Sequence, residues 1–341
     1  MSGTQKFTRR TFLILSTATL AACKAEDEVL KLTGSTMGTT YHVVARNGST
    51  GVDAKDLDKA IRTALADVNT EMSNWDASSE ISRVNAAAAG EALTLSPALA
   101  MVMNSANEVH KASDGRFDVT VGPLIDLWGF GSTGVAPHIP SDADIADAMT
   151  RSGQERVLTL NGNTLTKSAQ GAEIYLSAIG KGYGVDRVAK AVHDLGLKDF
   201  MVEIGGDLYA SGRNPDGMPW QIGIESPVAG DRALHSVAHV SGLGMATSGD
   251  YRNFFEDGDT RYSHIIDPTT GRPITHHTVS TTVLTENAMM ADAWATAMLV
   301  VGRERGMEIA EERGLAVVFI DREPGKGFTT TASSRYTSLQ A

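Results

Sequence analysis

In the stretch MMADAWATAML, residues 289–299, Asp292 is the one acid in an otherwise apolar run, and Thr296 follows four positions later. Residues four apart share a helix face, so a carboxylate and a hydroxyl would emerge at one point. Oxygen donors of this kind suit a hard cation such as Mg²⁺. The simpler alternative is an acid in the first helical turn, favoured by the macrodipole, with Thr296 bonding back to the helix carbonyls. An ionised Asp292 in apolar surroundings needs a partner on either reading. A second pair lies in RYSHIIDPTTGRPI, where His264 and Asp267 flank two isoleucines ahead of a Pro-Thr-Thr-Gly turn. An imidazole titrates near neutrality, which makes His264 a candidate for moving a proton. Asp267 either orients that ring or caps the turn. A surface turn whose histidine is satisfied by the backbone is the plainer alternative.

Several glycine-rich segments add backbone amides and single charges. GSTMGTT offers amides and hydroxyls suited to close approach of a phosphate. SAIGKGYG places Lys181 between glycines at a helix start, where amides and a cation both favour an anion. EIGGD and TSGDYRN are tight turns carrying acids. None of them fits a P-loop or a dinucleotide-binding fingerprint.

Positioning these groups falls to an interleaved set of helices and strands. Asn287 caps the Asp292 helix and Gly302 ends it, and with no polar face that helix belongs in the interior. VLKLTGSTMGTTYHVVAR reads as strand, turn and strand; residues 53–70 and 96–112 have helical patterning around the polar segment EMSNWDASSEISRVN. GFGSTGVAPHIPSD is a surface loop, and RVLTLNGNTLTKS a hairpin with an Asn-Gly-type turn. The helix after SAIGKG carries Val185, Val188, Ala189, Val192 and Leu195 on one stripe; strands then dominate from Met201 to Leu284. A charged helix over 303–313 and the strand AVVFID complete the pattern. Without regular βαβ spacing the fold class is α+β, in one large domain over 30–341.

The chain of 341 residues carries a net charge of −11 and no basic cluster, which argues against a nucleic-acid partner. Its first residues have another character. Lys6, Arg9 and Arg10 precede an apolar run from Phe12 to Ala22, too short to span a bilayer but suited to a signal-peptide core. TRRTFL resembles the twin-arginine export signal, and LAAC resembles a lipobox, so residues 1–22 are expected to be removed and Cys23 acylated. Residues 23–29 would then form a lipidated tether, anchoring the domain to a membrane on its periplasmic side. Cys23 is also the only cysteine, which leaves the globular part no disulfide and no thiolate chemistry.

GSTMGTTYHV, MSNWDASSEISRVN, GRFDVTVGPLIDLWGFG, LSAIGKGYGVD, VEIGGDLYASG, ATSGDYRNFF, SHIIDPTTGRPI and ADAWATAM occur in the order found in the ApbE family of FAD:protein FMN transferases. The chain resembles that family from about Leu30 to the C-terminal strand. The resemblance implies a T-fold-like arrangement of mixed sheets with packed helices. It also implies a Mg²⁺-dependent enzyme that cleaves the pyrophosphate of FAD, attaches FMN by a phosphoester to a Thr or Ser of a target protein, and releases AMP. Acceptors such as membrane redox-complex subunits are implied as partners. Asp292 and Thr296 resemble the side-chain metal ligands, and Ala178 a ligand acting through its carbonyl. Met37, Trp75, Arg116, Phe117, Asp118, Lys181 and the backbone around Ile266 match FAD-contacting positions, and His264 matches the histidine implicated in transfer. The chain departs from the family at Tyr175, where an Asp is usual. Two other functions share these residues: an FAD pyrophosphatase giving FMN and AMP, and a flavin-binding lipoprotein without chemistry.

Overall fold

Met37 and Gly38, at φ of 49° and 72°, make the two-residue turn that reverses β1 (Val29–Thr36) into β2 (Thr39–Arg46). Two positive φ angles in such a loop give the turn twist that matches paired strands. The computed structural model describes residues 28–341, apart from 49, 132, 133, 229, 231, 232, 259, 324 and 326. The expected leader over 1–22, Cys23 and the tether as far as residue 27 lie outside the described residues. Val29 already pairs with Arg46, so the last tether residue belongs to the domain.

Helix α1 (Ala54–Met72) starts where the Asp53 side chain accepts from the Lys55 amide, and buries Leu57, Ile61, Leu65 and Val68 along one stripe. The polar segment around Trp75 leads into α2 (Glu80–Ala86), capped by Ser79, and β3 (Ala92–Thr94). Ser96 caps α3 (Pro97–Ala112), with proline in its first turn where no amide partner is lost. Three short helices follow, α4 (Gly122–Leu127), α5 (Asp142–Thr150) and α6 (Gln154–Val157). The hairpin β4 (Leu158–Asn161) and β5 (Thr164–Lys167) turns on Gly162-Asn163, with only Gly162 at positive φ. Glycine therefore takes the first turn position, ahead of an asparagine, in place of the Asn-Gly order the sequence suggested.

Helix α7 (Gly180–Asp194) buries Val185, Val188, Ala189 and Val192 as its stripe required. The strand-rich part then runs β6 (Phe200–Ile204), β7 (Asp207–Ser211), β8 (Trp220–Glu225), β9 (Leu234–Val240) and β10 (Leu243–Gly249). It continues through β11 (Phe254–Asp257), β12 (Thr260–Ser263), β13 (Ile266–Asp267), β14 (Arg272–Pro273) and β15 (Thr278–Thr285). After α8 (Ala288–Val301), α9 (Arg303–Arg313) and β16 (Ala316–Glu323), a further strand β17 (Gly327–Ala332) and helix α10 (Ser334–Gln340) extend the domain.

Eight strands form one sheet in the order β1-β2-β6-β7-β10-β15-β16-β17, every neighbouring pair antiparallel. Side chains alternate between its faces. Ala246, Val283, Val317 and Phe319 join the helical core with Trp294 and Met298 of α8, whereas Met245, Leu284 and Ile320 meet Trp220 and Ile224 on the opposite side. The central strands are thus covered on both faces, by α7 and α8 and by the β8–β9 hairpin. This is the α+β architecture, helices packed on sheets, that the interleaved pattern predicted.

Candidate active site

Helix α8 begins against α7. Asn287 caps it by accepting from the Met290 amide at 2.9 Å, and the Asp186 carboxylate accepts from the Ala288 and Met289 amides at 2.8 and 2.9 Å. A Cβ on Gly182 would lie 2.2 Å from the Ala288 carbonyl oxygen, so the two backbones touch there and only glycine fits. This close approach puts Asp292 at the start of α7. Its Oδ2 accepts from the Gly182 amide at 3.0 Å and its Oδ1 lies 3.2 Å from Lys181 Nζ. The anion favoured at the SAIGKG helix start is therefore Asp292 itself. Asp292 lies in the second turn of α8, beyond the reach of the first-turn dipole explanation, and the Thr296 hydroxyl meets Ser248 Oγ at 3.1 Å.

Lys181 also pairs with Asp207 at 2.6 Å, making a trio of one half-buried ammonium between two buried carboxylates. Burial works against the Lys181 charge, but the two acids outweigh it and hold its pKa above the usual lysine value. Burial pushes Asp207 above the ordinary aspartate range, the Asp292 charge adds to this, and Lys181 offsets part of it. Nearby Asp186 is raised to about 6, chiefly by burial, against the two amides it accepts from. A trio with two acids and one cation favours uptake of a further positive charge. Among the described residues no three His, Cys, Asp or Glu side chains stand close enough to form a metal cage by themselves. Ala178, Asp292 and Thr296 nevertheless line one cavity, offering a carbonyl, a carboxylate and a hydroxyl. That donor set fits Mg²⁺, which takes one or two protein carboxylates and completes its shell with water and phosphate oxygens.

His264 lines the same cavity, which measures about 530 Å³. Its Nδ1 lies 3.0 Å from the Asn253 carbonyl oxygen. A carbonyl only accepts, so Nδ1 carries the proton in the neutral ring and the lone pair sits on Nε2. Burial lowers the His264 pKa from 6.5, and the Asn253 carbonyl restores part of the drop. Asp267 does not orient this ring. Its Oδ1 accepts from the Thr269 amide and hydroxyl at 2.9 and 2.7 Å, and its Oδ2 pairs with Arg116. Of the two roles open to Asp267, the structure selects the turn cap, with the added task of fixing Arg116 on the cavity wall.

Arg116, Phe117, Asp118, Lys181 and Ile266 share that wall. Two of these use their side chains elsewhere. Phe117 is buried in the helical core, and Asp118 accepts from Thr120 and from the Gln154 amide. Trp75, 68% exposed, lines a smaller adjoining cavity of about 190 Å³. Tyr175 borders both cavities and meets Trp75 edge-on, with ring centroids 5.9 Å apart. The aromatic that replaces the usual acid thus stands at the junction. Met37 lines neither cavity; its side chain packs beside Gly184 of α7. Asp207, Asp186, Ser248 and Asn253 were not singled out by sequence reasoning. The acid of the EIGGD turn gave a weak signal for Asp207; Ser248 and Asn253 both lie within TSGDYRN, but nothing local marks the hydroxyl of the one or the carbonyl of the other.

The ApbE family model matches residues 37–319. An FAD:protein FMN transferase of Haemophilus influenzae is 41% identical over 327 residues, covering 94% of this chain and 94% of the relative. The solved flavin transferase ApbE from Vibrio cholerae superposes with a TM-score of 0.85 at 41% identity, covering 91% of this chain and 99% of that one. The apo form of the Pseudomonas stutzeri flavinyl transferase ApbE gives 0.84 at 37% identity, over 92% and 97% of the two chains.

Proposed function

The chain belongs to the ApbE family, and from that membership we propose that it is a Mg²⁺-dependent FAD:protein FMN transferase. The observation that carries the chemistry is the meeting, in one cavity, of the Ala178–Asp292–Thr296 oxygen set with a histidine whose proton is parked on Nδ1. A Thr or Ser hydroxyl of the acceptor protein loses its proton to His264 Nε2 as its oxygen bonds to the phosphorus on the FMN side of the pyrophosphate. The bond from that phosphorus to the bridging oxygen breaks, and the electron pair leaves with AMP. Mg²⁺, when bound, neutralises the diphosphate and stabilises the leaving phosphate. Lys181 keeps a positive charge beside Asp292, and Arg116, fixed by Asp267, offers a second cation on the wall. Trp75 and Tyr175, edge-on to each other where the two cavities adjoin, offer aromatic surface to a flat heteroaromatic group.

The acceptors are taken to be membrane redox-complex subunits, reached by a periplasmic enzyme anchored through lipid on Cys23. The support for the anchor lies in the order of basic residues, apolar run and cysteine over residues 6–23. No helix among the described residues is long and apolar enough to cross a membrane. Incubating the protein with FAD, Mg²⁺ and a candidate acceptor is expected to yield AMP together with a fluorescent flavinylated band, both lost on chelation. AMP with free FMN and no band would identify a pyrophosphatase. Neither product would leave a flavin-binding protein.

A further inference from the structure

We infer that Arg261 is the positioning residue for His264, acting through the carbonyl of Asn253; this rests on His264 being the base of the transfer step. The Asn253 carbonyl takes both the main-chain amide of His264, at 3.1 Å, and its Nδ1, at 3.0 Å. One peptide oxygen therefore sets both the place of the histidine and its tautomer. Asn253 lies in the short connection between β10 and β11, where the His264 amide carries the β11–β12 pairing one residue beyond Phe254 and Ser263. Arg261 grips that connection at both ends. Its Nη2 donates to the carbonyl of Asp250 at 2.8 Å, and its guanidinium lies over the Phe254 ring, 3.9 Å from the centroid. These are the residues three before and one after Asn253.

The rest of the setting explains why so much falls to one side chain. The β11–β12 ribbon pairs only four residues with four and joins no other sheet. Arg261 Nη1 stands 3.6 Å from Asp250 Oδ2, outside hydrogen-bond range, so the ion pair contributes charge and the carbonyl contact contributes direction. A flat guanidinium can stack and donate at once, which an ammonium cannot. Arg261 is itself held away from the cavity and touches none of the reacting atoms; it does not line the cavity wall.

The test compares wild type, Arg261→Met, Arg261→Lys and His264→Ala. The lysine variant is included because Arg261→Met takes from partly buried Asp250 the cation paired with it at 3.6 Å. Imidazole ¹⁵N shifts, assigned by their loss in His264→Ala, report the tautomer, while FAD titration and single-turnover FMN transfer report binding and chemistry. The expected result for a folded Arg261 variant is a ring no longer confined to the Nδ1–H form, transfer slowed by roughly 10- to 100-fold, and FAD affinity within a few-fold of wild type. Native shifts together with a native rate in either folded variant overturn the inference. So does a slowed rate with native shifts, which would mean that Arg261 acts by another route. Near-normal transfer by His264→Ala would instead remove His264 as the base, and the ¹⁵N shifts would still decide whether Arg261 sets its tautomer.

Discussion

At one end of the cavity Asp292 is fixed by a helix start, a lysine and the core around α8; at the other, His264 is tied through a single carbonyl beside a ribbon of four residue pairs. The Asp292 end touches backbone to backbone, with Gly182 against Ala288, and its carboxylate accepts an amide and an ammonium. Around His264 the contacts are rings: Phe130 lies edge-on to the imidazole at 6.3 Å and Phe255 stacks on Tyr262 at 5.1 Å. Such contacts supply burial but little direction. The difference fits a division of labour in phosphoryl transfer, where charge must be met by a preorganised site while the acceptor side must admit a second macromolecule.

Asp292→Ala should have the largest effect. It removes the only carboxylate among the proposed metal ligands, and transfer is expected to fall below detection. Full activity with FAD and Mg²⁺ would refute the assignment of the rigid end. Stability need not follow activity, since the substitution also relieves the excess negative charge of the trio, leaving Lys181 paired with Asp207 alone. A thermal melt without metal should show a smaller change than the activity does.

His264→Ala tests the other end. FAD binding should persist, because the wall formed by Arg116 and Lys181 is untouched, while transfer slows by roughly 10²–10⁴-fold. Rates within a few-fold of wild type, measured as single turnovers on a preparation of known FAD affinity, would reduce the histidine to a turn residue. A parallel loss of binding and rate would show instead that the two ends are mechanically one.

These two residues were legible in the sequence for a local reason. Asp292 and Thr296 share a helix face by spacing alone, and His264 sits in a turn whose Pro and Gly announce it. What surrounds them was not legible. Asp207 reaches Lys181 across 26 residues, and Lys181 reaches Asp292 across 111, by way of a strand order that runs β6-β7-β10-β15. No periodicity encodes that order. The same holds for the choice made by Asp267, where spacing to His264 was equally good for two roles and a contact from Arg116, 151 residues away, decided between them. Met37 shows the reverse. It belongs to a motif, yet the turn it occupies directs its side chain onto α7 and away from the cavity.

A smaller effect should follow from Gly182→Ala, because backbone contact with α8 makes the Asp292 end rigid. Alanine normally favours a helix interior over glycine by up to about 1 kcal/mol. Here the added Cβ meets main-chain atoms of Ala288 and Met289, which have no flexible end to move aside. The expected outcome is a net loss of about 1–3 kcal/mol in denaturant unfolding, the usual cost of overpacking. A stabilised variant would show that α7 and α8 separate easily and that the contrast between the two ends is overstated.

The smallest effect concerns pH, and it bears on the His264 end alone. Burial holds the His264 pKa below 6.5 in the folded protein. The base must be neutral to accept a proton, so the acidic limb of single-turnover transfer should be half-maximal at a pH below 6.5, and activity should persist into mildly acidic conditions. For stability the sign runs the same way. Between the folded pKa and 6.5 the unfolded chain binds more protons than the folded one, so the contribution of His264 is fully present above 6.5 and declines as pH falls through that window. His264→Ala should therefore flatten the pH dependence of unfolding there while leaving it unchanged above 7. An acidic limb centred above 6.5, still present in single turnovers, would mean that a different group, with its pKa raised, controls the proton at this end of the cavity.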